Sequence, residues 1–367
     1  MKTCEFPVVS DVSGHRVKVC CPICCDGEAA GSESSVPQSN RRIAGASHGE
    51  NRQRVLFRSN GYPIVRCCDC GLVFVGEAEP AETTREFFRS EHITDRELTE
   101  LHYVEWRRES LVREAELIRR LRPSGGRLLD VGAASGMFVR QFEGDARWSA
   151  EGVEPSHVSA QFAREQFGLS VYTGFLDDQD FDADCFDVIT SLDSFVCHRK
   201  PLQDLREMFR ILKPGGLLAI EIGGWNFRRL TSTGPLCRLI HGVPARLNAG
   251  VNYFYYDRRT LSALAEKCGF HYRHCFPEAM PSVGSRPVRG VKWLYFQATA
   301  VPYRLSGGRI SLVPKELVVF EKPCNDEPSS SGSQPKPVEY AKKNTHRIIS
   351  HAIPSRCQSQ AANVTPQ

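Results

Sequence analysis

The stretch Leu128-Leu129-Asp130-Val131-Gly132-Ala133-Ala134-Ser135-Gly136-Met137-Phe138 decides the reading of this chain. An apolar run ends in an acid, a small-residue turn follows, and Phe138 and Phe142 then fall four residues apart. That pattern predicts strand, tight turn and helix. Small residues let a ligand approach the backbone closely. Free N–H groups at a helix start suit a negative or polar ligand group. A dinucleotide fingerprint would read G-x-G-x-x-G. Here the glycines are Gly132 and Gly136, with Asp130 in front, and an acid there suits a cationic ligand better than a pyrophosphate.

The next apolar run ends in Glu151-Gly152-Val153-Glu154-Pro155-Ser156, which places Glu154 24 residues after Asp130. That spacing fits one β-α-β crossover. A carboxylate at such a strand end can accept both hydroxyls of a ribose. An ordinary Rossmann-like unit with a solvent-facing Glu is the alternative, and the two motifs together favour a nucleoside ligand.

On these residues the chain resembles a class I S-adenosylmethionine-dependent methyltransferase. Leu129 to Gly136 is similar to the family's L-D-V-G-x-G-x-G motif, with Ala134 in place of the middle glycine. If that position needs φ > 0, Ala costs about 1 kcal/mol. Gly174-Phe175-Leu176-Asp177-Asp178 resembles the loop whose acid meets the adenine amino group, which implies Asp177. Phe186 to Asp193 resembles the fourth strand, and Lys213-Pro214-Gly215-Gly216 before Leu217 to Ile222 resembles the end of a helix before the fifth. Residues 255–261 and 266–270 resemble the small-molecule branch, and Ser311 to Pro323 its last strand. The resemblance implies an α/β fold: a Rossmann-like seven-stranded sheet with helices on both faces. It implies S-adenosylmethionine as cofactor, with Asp130, Gly132, Ala134, Gly136, Glu154, Asp177 and Leu192 as its binding residues.

A length of 367 residues accommodates one α/β domain plus a small module. A net charge of +4 is too weak to argue for nucleic acid, which is not expected as a partner. No apolar run reaches membrane-spanning length, and the N-terminus shows no signal-peptide core. The expectation is a cytoplasmic protein with no membrane partner.

Seven of the fifteen cysteines lie between Cys20 and Cys70. Cys21-Pro22-Ile23-Cys24 and Cys67-Cys68-Asp69-Cys70 form two C-x-x-C turns, able to present four thiolates tetrahedrally to structural Zn2+. Leu72 to Val75 then reads as a strand, as in a zinc ribbon. Reduced structural cysteines are the bland alternative. Some members of the resembled family place such a ribbon before the catalytic domain.

The expected organisation is a zinc-ribbon-like module over 1–80, with a disordered polar insertion at 26–54. A helical cover follows over 81–125, with Leu111, Ala115, Ile118 and Leu121 on one face. The cofactor-binding domain spans 126–323, and a polar, disordered tail covers 324–367. The region from Gly223 to Tyr256 is the expected acceptor lid. Its Trp225, Phe227, Tyr253, Phe254 and Tyr255 suit either a pocket lining or a core.

Methyl transfer from a sulfonium is an in-line displacement that needs alignment first. A general base is needed only where the acceptor holds its proton. Relatives often carry Asp-x-x-Glu-His after the fourth strand. This chain has Asp193-Ser194-Phe195-Val196-Cys197-His198, with His198 one place late. Asp193 stands at the carboxyl edge where ligands of open α/β sheets bind, and is expected to border the acceptor. His198 and His241 are the candidate bases. Three functional classes stay open: a methyltransferase for a small-molecule acceptor such as a sugar or polyketide, an RNA or protein methyltransferase docking its polymer through the ribbon, and a non-catalytic cofactor-binding relative.

Overall fold

The two cysteine turns and the apolar run after them set the start of the fold. The computed structural model describes residues 16–25, 52–90, 102–241, 247–278, 286–306, 308 and 310–324. Strand β1 (Val17–Lys18) pairs with β5 (Glu77–Ala78), while β2 (Gln53–Ser59), β3 (Tyr62–Cys67) and β4 (Val73–Val75) form an antiparallel meander between them in sequence. The expected insertion at 26–54 lies outside the described residues up to 51, but Gln53 and Arg54 belong to β2 rather than to a loop. The expected helical cover is two described helices, α1 (Ala81–Arg89) and α2 (His102–Leu121).

The main sheet begins at β6 (Gly126–Val131), where the apolar run Leu128-Leu129 is fully buried. The helix expected after it is absent as such. Val139–Phe142 makes a single 3-10 turn, and the chain is already back in strand at β7 (Trp148–Glu154). Phe138, Phe142 and Trp148 still bury themselves, against Leu111, Ala115 and Ile118 of α2. Helix α3 (His157–Phe167) starts at Ser156, whose side chain accepts from Ser159 N–H, and ends at Gly168 in the left-handed region. Strand β8 (Ser170–Thr173) follows, then β9 (Phe186–Ser191), α4 (Pro201–Ile211) and β10 (Leu212–Gly223). Every residue of β9 is buried, because it lies between β6 and β10 with both faces covered.

Two lid helices come next, α5 (Trp225–Ser232) and α6 (Gly234–His241), then the short strand β11 (Phe254–Tyr255) and helix α7 (Arg258–Glu266). Strand β12 (His271–Glu278) and β13 (Lys315–Glu321) pair antiparallel and close the sheet, with helix α8 (Arg286–Leu305) inserted between them. The strand order is β12-β13-β10-β9-β6-β7-β8, a seven-stranded sheet flanked by helices.

The ribbon is built into this unit. β11 pairs with β4, so the four-stranded ribbon sheet takes its last strand from residues 254–255. Tyr253, Phe254, Tyr255 and Tyr256 share one core with Val73, Phe74, Val75 and Phe195. All described residues fall in one compact unit, 1–328; of the expected tail, only Cys324 is described.

Candidate functional site

The loop after β6 has a left-handed backbone at three places: Gly132 at φ +82°, Ala134 at +48° and Gly136 at +74°. Glycine is required at two of them by space as well. A Cβ on Gly132 would come within 2.5 Å of the Ser194 side chain, and one on Gly136 within 2.6 Å of Leu169. Ala134 carries its Cβ in the strained region, so the cost read from the sequence applies.

Glu154, at the carboxyl end of β7, ties this loop down. One carboxylate oxygen accepts from Ala134 N–H at 2.8 Å and the other from Ser156 N–H at 2.8 Å. The side chain is buried, and burial pushes it up to about 7, against the pull of those two N–H groups. Asp130 is buried too and takes a hydrogen bond from Thr190 Oγ1 at 2.7 Å. Burial likewise pushes Asp130 up to about 7. Each Glu154 oxygen has one backbone donor and room on the carboxylate for one more. Leu192, by contrast, packs in the core beside Phe138 and Phe142.

Asp177 lies in a 3-10 turn after β8 and is exposed. Arg85 of α1 reaches across to it at 2.7 Å, lies over the Phe175 ring at 4.1 Å, and also binds Asp178. The acid expected to meet an adenine amino group thus already faces a cation, which no local sequence pattern signalled.

Asp193 has a left-handed backbone, φ +60°, and an ion-paired side chain. Its carboxylate meets Arg107 at 3.0 Å and Lys315 at 2.9 Å. The same two cations bind Glu221, near the carboxyl end of β10, at 2.8 and 3.0 Å. Burial works against charge on Asp193, but Lys315 and Arg107 outweigh it and hold the carboxyl well below the usual range. Sequence reasoning missed Arg107, Lys315 and Glu221. One signal was present: Glu221 is a lone acid inside the apolar run Leu217 to Ile222. Arg228, in the first turn of α5, also faces Asp193, Cys197 and Tyr255.

His198 Nδ1 sits 2.8 Å from Asp204 of α4, and its ring packs on Phe195 at 5.1 Å. Asn252 contacts the half-buried Cys197 thiol. The side chain of His241 lies outside the described residues. The aromatic cluster at 253–256 resolves as core, not as a pocket lining, because β11 is locked into the ribbon sheet.

The four cysteines of the two turns converge. The sulfurs of Cys21, Cys24, Cys67 and Cys70 all lie within 4.8 Å of one another. Cys21 and Cys70 are 3.5 Å apart, Cys24 and Cys67 3.8 Å. Four sulfurs around a tetrahedral zinc at about 2.3 Å stand about 3.8 Å from each other. The donor set therefore fits Zn2+. Cys20, Cys25 and Cys68 stay outside the group. The turns are held from the main unit: Arg259 donates to Cys70 O, and Lys267 Nζ to Ile23 O at 3.1 Å.

Residues 103–274 match the family model described as a methyltransferase domain. The chain is similar there to a methyltransferase domain. It is similar to erythromycin 3''-O-methyltransferase of Saccharopolyspora erythraea, 37% identical over 121 residues, which covers 30% of this chain and 39% of that protein. It is also similar to tRNA U34 carboxymethyltransferase of Saccharophagus degradans, 26% identical over 184 residues, 47% of this chain and 52% of that protein. The chain thus spans between two-fifths and about half the length of these curated relatives. A solved structure of phosphoethanolamine N-methyltransferase 2 from Haemonchus contortus, in complex with S-adenosyl-L-methionine, aligns at TM-score 0.43 and 15% identity. It covers 66% of this chain and 60% of that one.

Proposed function

We propose that this protein is an S-adenosylmethionine-dependent methyltransferase for a small-molecule acceptor. The observation that carries the reading is the Glu154 carboxylate, buried at the end of β7 and tied to the Ala134 N–H of a left-handed loop. That arrangement leaves a carboxylate at a strand end beside a loop of small residues, as a ribose diol requires. In this reading residues 126–323 hold the cofactor, with 81–125 as its cover.

Glu154 would hold the ribose hydroxyls. The loop Gly132–Gly136, free of side chains beyond Cβ except at Ser135, would take the amino-acid part, with Asp130 beneath it. Asp177 would meet the adenine edge once Arg85 gives way. The bound cofactor supplies an electrophilic methyl on a sulfonium. The chain's task is to align the acceptor and exclude water. Asp193, held ionised by Arg107 and Lys315, is a weak base and a fixed negative charge at the edge of the site. His198, oriented by Asp204, is the side chain able to take a proton where the acceptor carries one.

Two features favour a small acceptor over a polymer. The 37% identical relative is named for erythromycin. The ribbon's contacts also run inward, through β11, Arg259 and Lys267, as in a structural clamp. In this reading Cys21, Cys24, Cys67 and Cys70 hold a structural zinc. The test is methyl transfer from radiolabelled cofactor to separate small-molecule and RNA pools. Label in the RNA pool alone would overturn the acceptor class, and failure to bind S-adenosylhomocysteine would overturn the activity.

A further inference from the structure

Arg228 is a half-buried cation without a partner acid at the carboxyl edge of the sheet. It stands in the first turn of α5, just after β10 ends at Gly223. The chain clears space for it: a Cβ on Gly223 would come within 2.2 Å of Arg228 Nε and 2.7 Å of its Cζ. The guanidinium therefore lies over bare backbone, and it faces Asp193, Cys197 and Tyr255. Among the described residues its side chain makes no hydrogen bond and no ion pair.

The other charges described at this edge offset one another. Arg107 and Lys315 pair with Asp193 and Glu221, and Arg113 lies 3.7 Å from Glu278. Glu114 is buried 3.6 Å from Arg107, and neither of its oxygens has a hydrogen-bond partner. Burial and the nearby Glu221 push its carboxyl well above the usual range, so it keeps its proton. Arg228 is left as one net positive charge.

Position decides what that charge meets. Strand β9 lies between β10 and β6, so Arg228 stands two strands, roughly 10 Å, from the Gly132–Gly136 loop. It borders instead the loop after β9 that carries Asp193, on the acceptor side of the site. A guanidinium offers two parallel N–H donors that match a carboxylate, and a single charge that a carboxylate cancels. A phosphate monoester dianion would leave surplus negative charge beside Asp193. We propose that Arg228 binds a carboxylate on the acceptor, which makes the acceptor an anionic small molecule. This rests on the methyltransferase reading of the site.

The test is methyl transfer by the full chain from radiolabelled cofactor to separate pools of carboxylic acids, phosphate monoesters, and neutral or cationic compounds. Label should enter the carboxylic acids. Arg228→Gln should raise KM about tenfold or more with kcat changed less, and Arg228→Lys, which keeps the charge but not the fork, should recover part of that loss. Affinity for S-adenosylhomocysteine should stay within about twofold in both variants. A drop of about tenfold would overturn the proposal and assign Arg228 to the cofactor's own carboxylate. A second arm needs no acceptor. Phenylglyoxal should modify Arg228 in the S-adenosylhomocysteine-bound protein, and benzoate should slow that modification about threefold or more where benzamide does not. Label confined to phosphate monoesters or to the neutral and cationic pool, an unchanged KM in Arg228→Gln, or no protection by benzoate would each overturn the proposal. Failure to bind S-adenosylhomocysteine would instead sink the methyltransferase reading, and the proposal with it.

Discussion

The carboxylate of Glu154 accepts a hydrogen bond of 2.8 Å from the backbone N–H of Ala134. This bond joins two elements the chain reaches 20 residues apart: the loop after β6 and the end of β7. It explains how an alanine persists at φ +48°. The buried acceptor holds that N–H in place, and the strain is borne locally.

Ala134→Gly should relieve that strain. The gain is up to about 1 kcal/mol, reduced by the extra freedom glycine has in the unfolded chain. Urea unfolding should show a midpoint unchanged or raised. A clear drop would mean that the Ala134 methyl packs usefully and that the loop is not strained there.

Burial holds Glu154 up to about 7 from an ordinary 4.5, and Asp130 up to about 7 from 3.8. The folded chain therefore binds these protons more tightly than the unfolded chain does. Between those values stability of the cofactor-free protein falls as pH rises. Ribose hydroxyls donate to the ionised form, so a ligand there expels the proton. Affinity for S-adenosylhomocysteine should rise about tenfold from about pH 6 to about pH 8, with proton release visible by calorimetry in buffers of different ionisation heat. Glu154→Ala should reduce the pH dependence to what Asp130 contributes and weaken binding by about 1.5–3 kcal/mol, the range for hydrogen bonds to a charged group. Unchanged affinity in that variant would take Glu154 out of the site.

Much of this was legible because it is local. The apolar runs at Leu128 to Val131 and Phe186 to Ser191 read as strands because both faces are buried, and the C-x-x-C turns carry their own spacing. What the sequence hid is long-range or short. Arg107 reaches Asp193 across 86 residues and Lys315 reaches it across 122, and no local period encodes such pairs. Strand β11 has two residues, too few to alternate. Its pairing with β4 puts Tyr253, Phe254 and Tyr255, which suited a pocket lining or a core equally, into the core. The helix expected from Phe138 and Phe142 is a 3-10 turn, because two aromatics four apart suit either geometry when only one turn is made.

The ribbon and the main sheet share one core through Phe74, Phe254 and Tyr256. Zinc removal should therefore loosen the whole unit rather than melt a separate module. Purified protein should carry about one zinc per chain. Treatment with a strong chelator, or Cys67→Ser, should lower the midpoint of a single thermal transition. Elemental analysis showing no zinc after gentle purification would defeat the metal assignment. A separate low-temperature transition, with the main one unmoved, would defeat the shared core.

Asp193 and His198 separate two views of catalysis. Asp193, Arg107, Glu221 and Lys315 form a network of two acids and two cations around the ends of β9, β10 and β13, with Glu114 a further acid 3.6 Å from Arg107. Removing one partner of a buried pair costs about 3–5 kcal/mol, because the remaining charges lose compensation. Asp193 is partly exposed, so Asp193→Asn should fall toward the lower end, and it should lower both the unfolding midpoint and kcat. His198 has Asp204 on Nδ1 and a protein that works mainly by alignment around it. His198→Ala should cost less than the ~100-fold that loss of a general base usually brings. Rates of both variants on one acceptor, with unfolding curves beside them, decide the matter. A loss above ~100-fold at His198 that shrinks at high pH, where the acceptor deprotonates unaided, would make His198 the base and reverse the expected order.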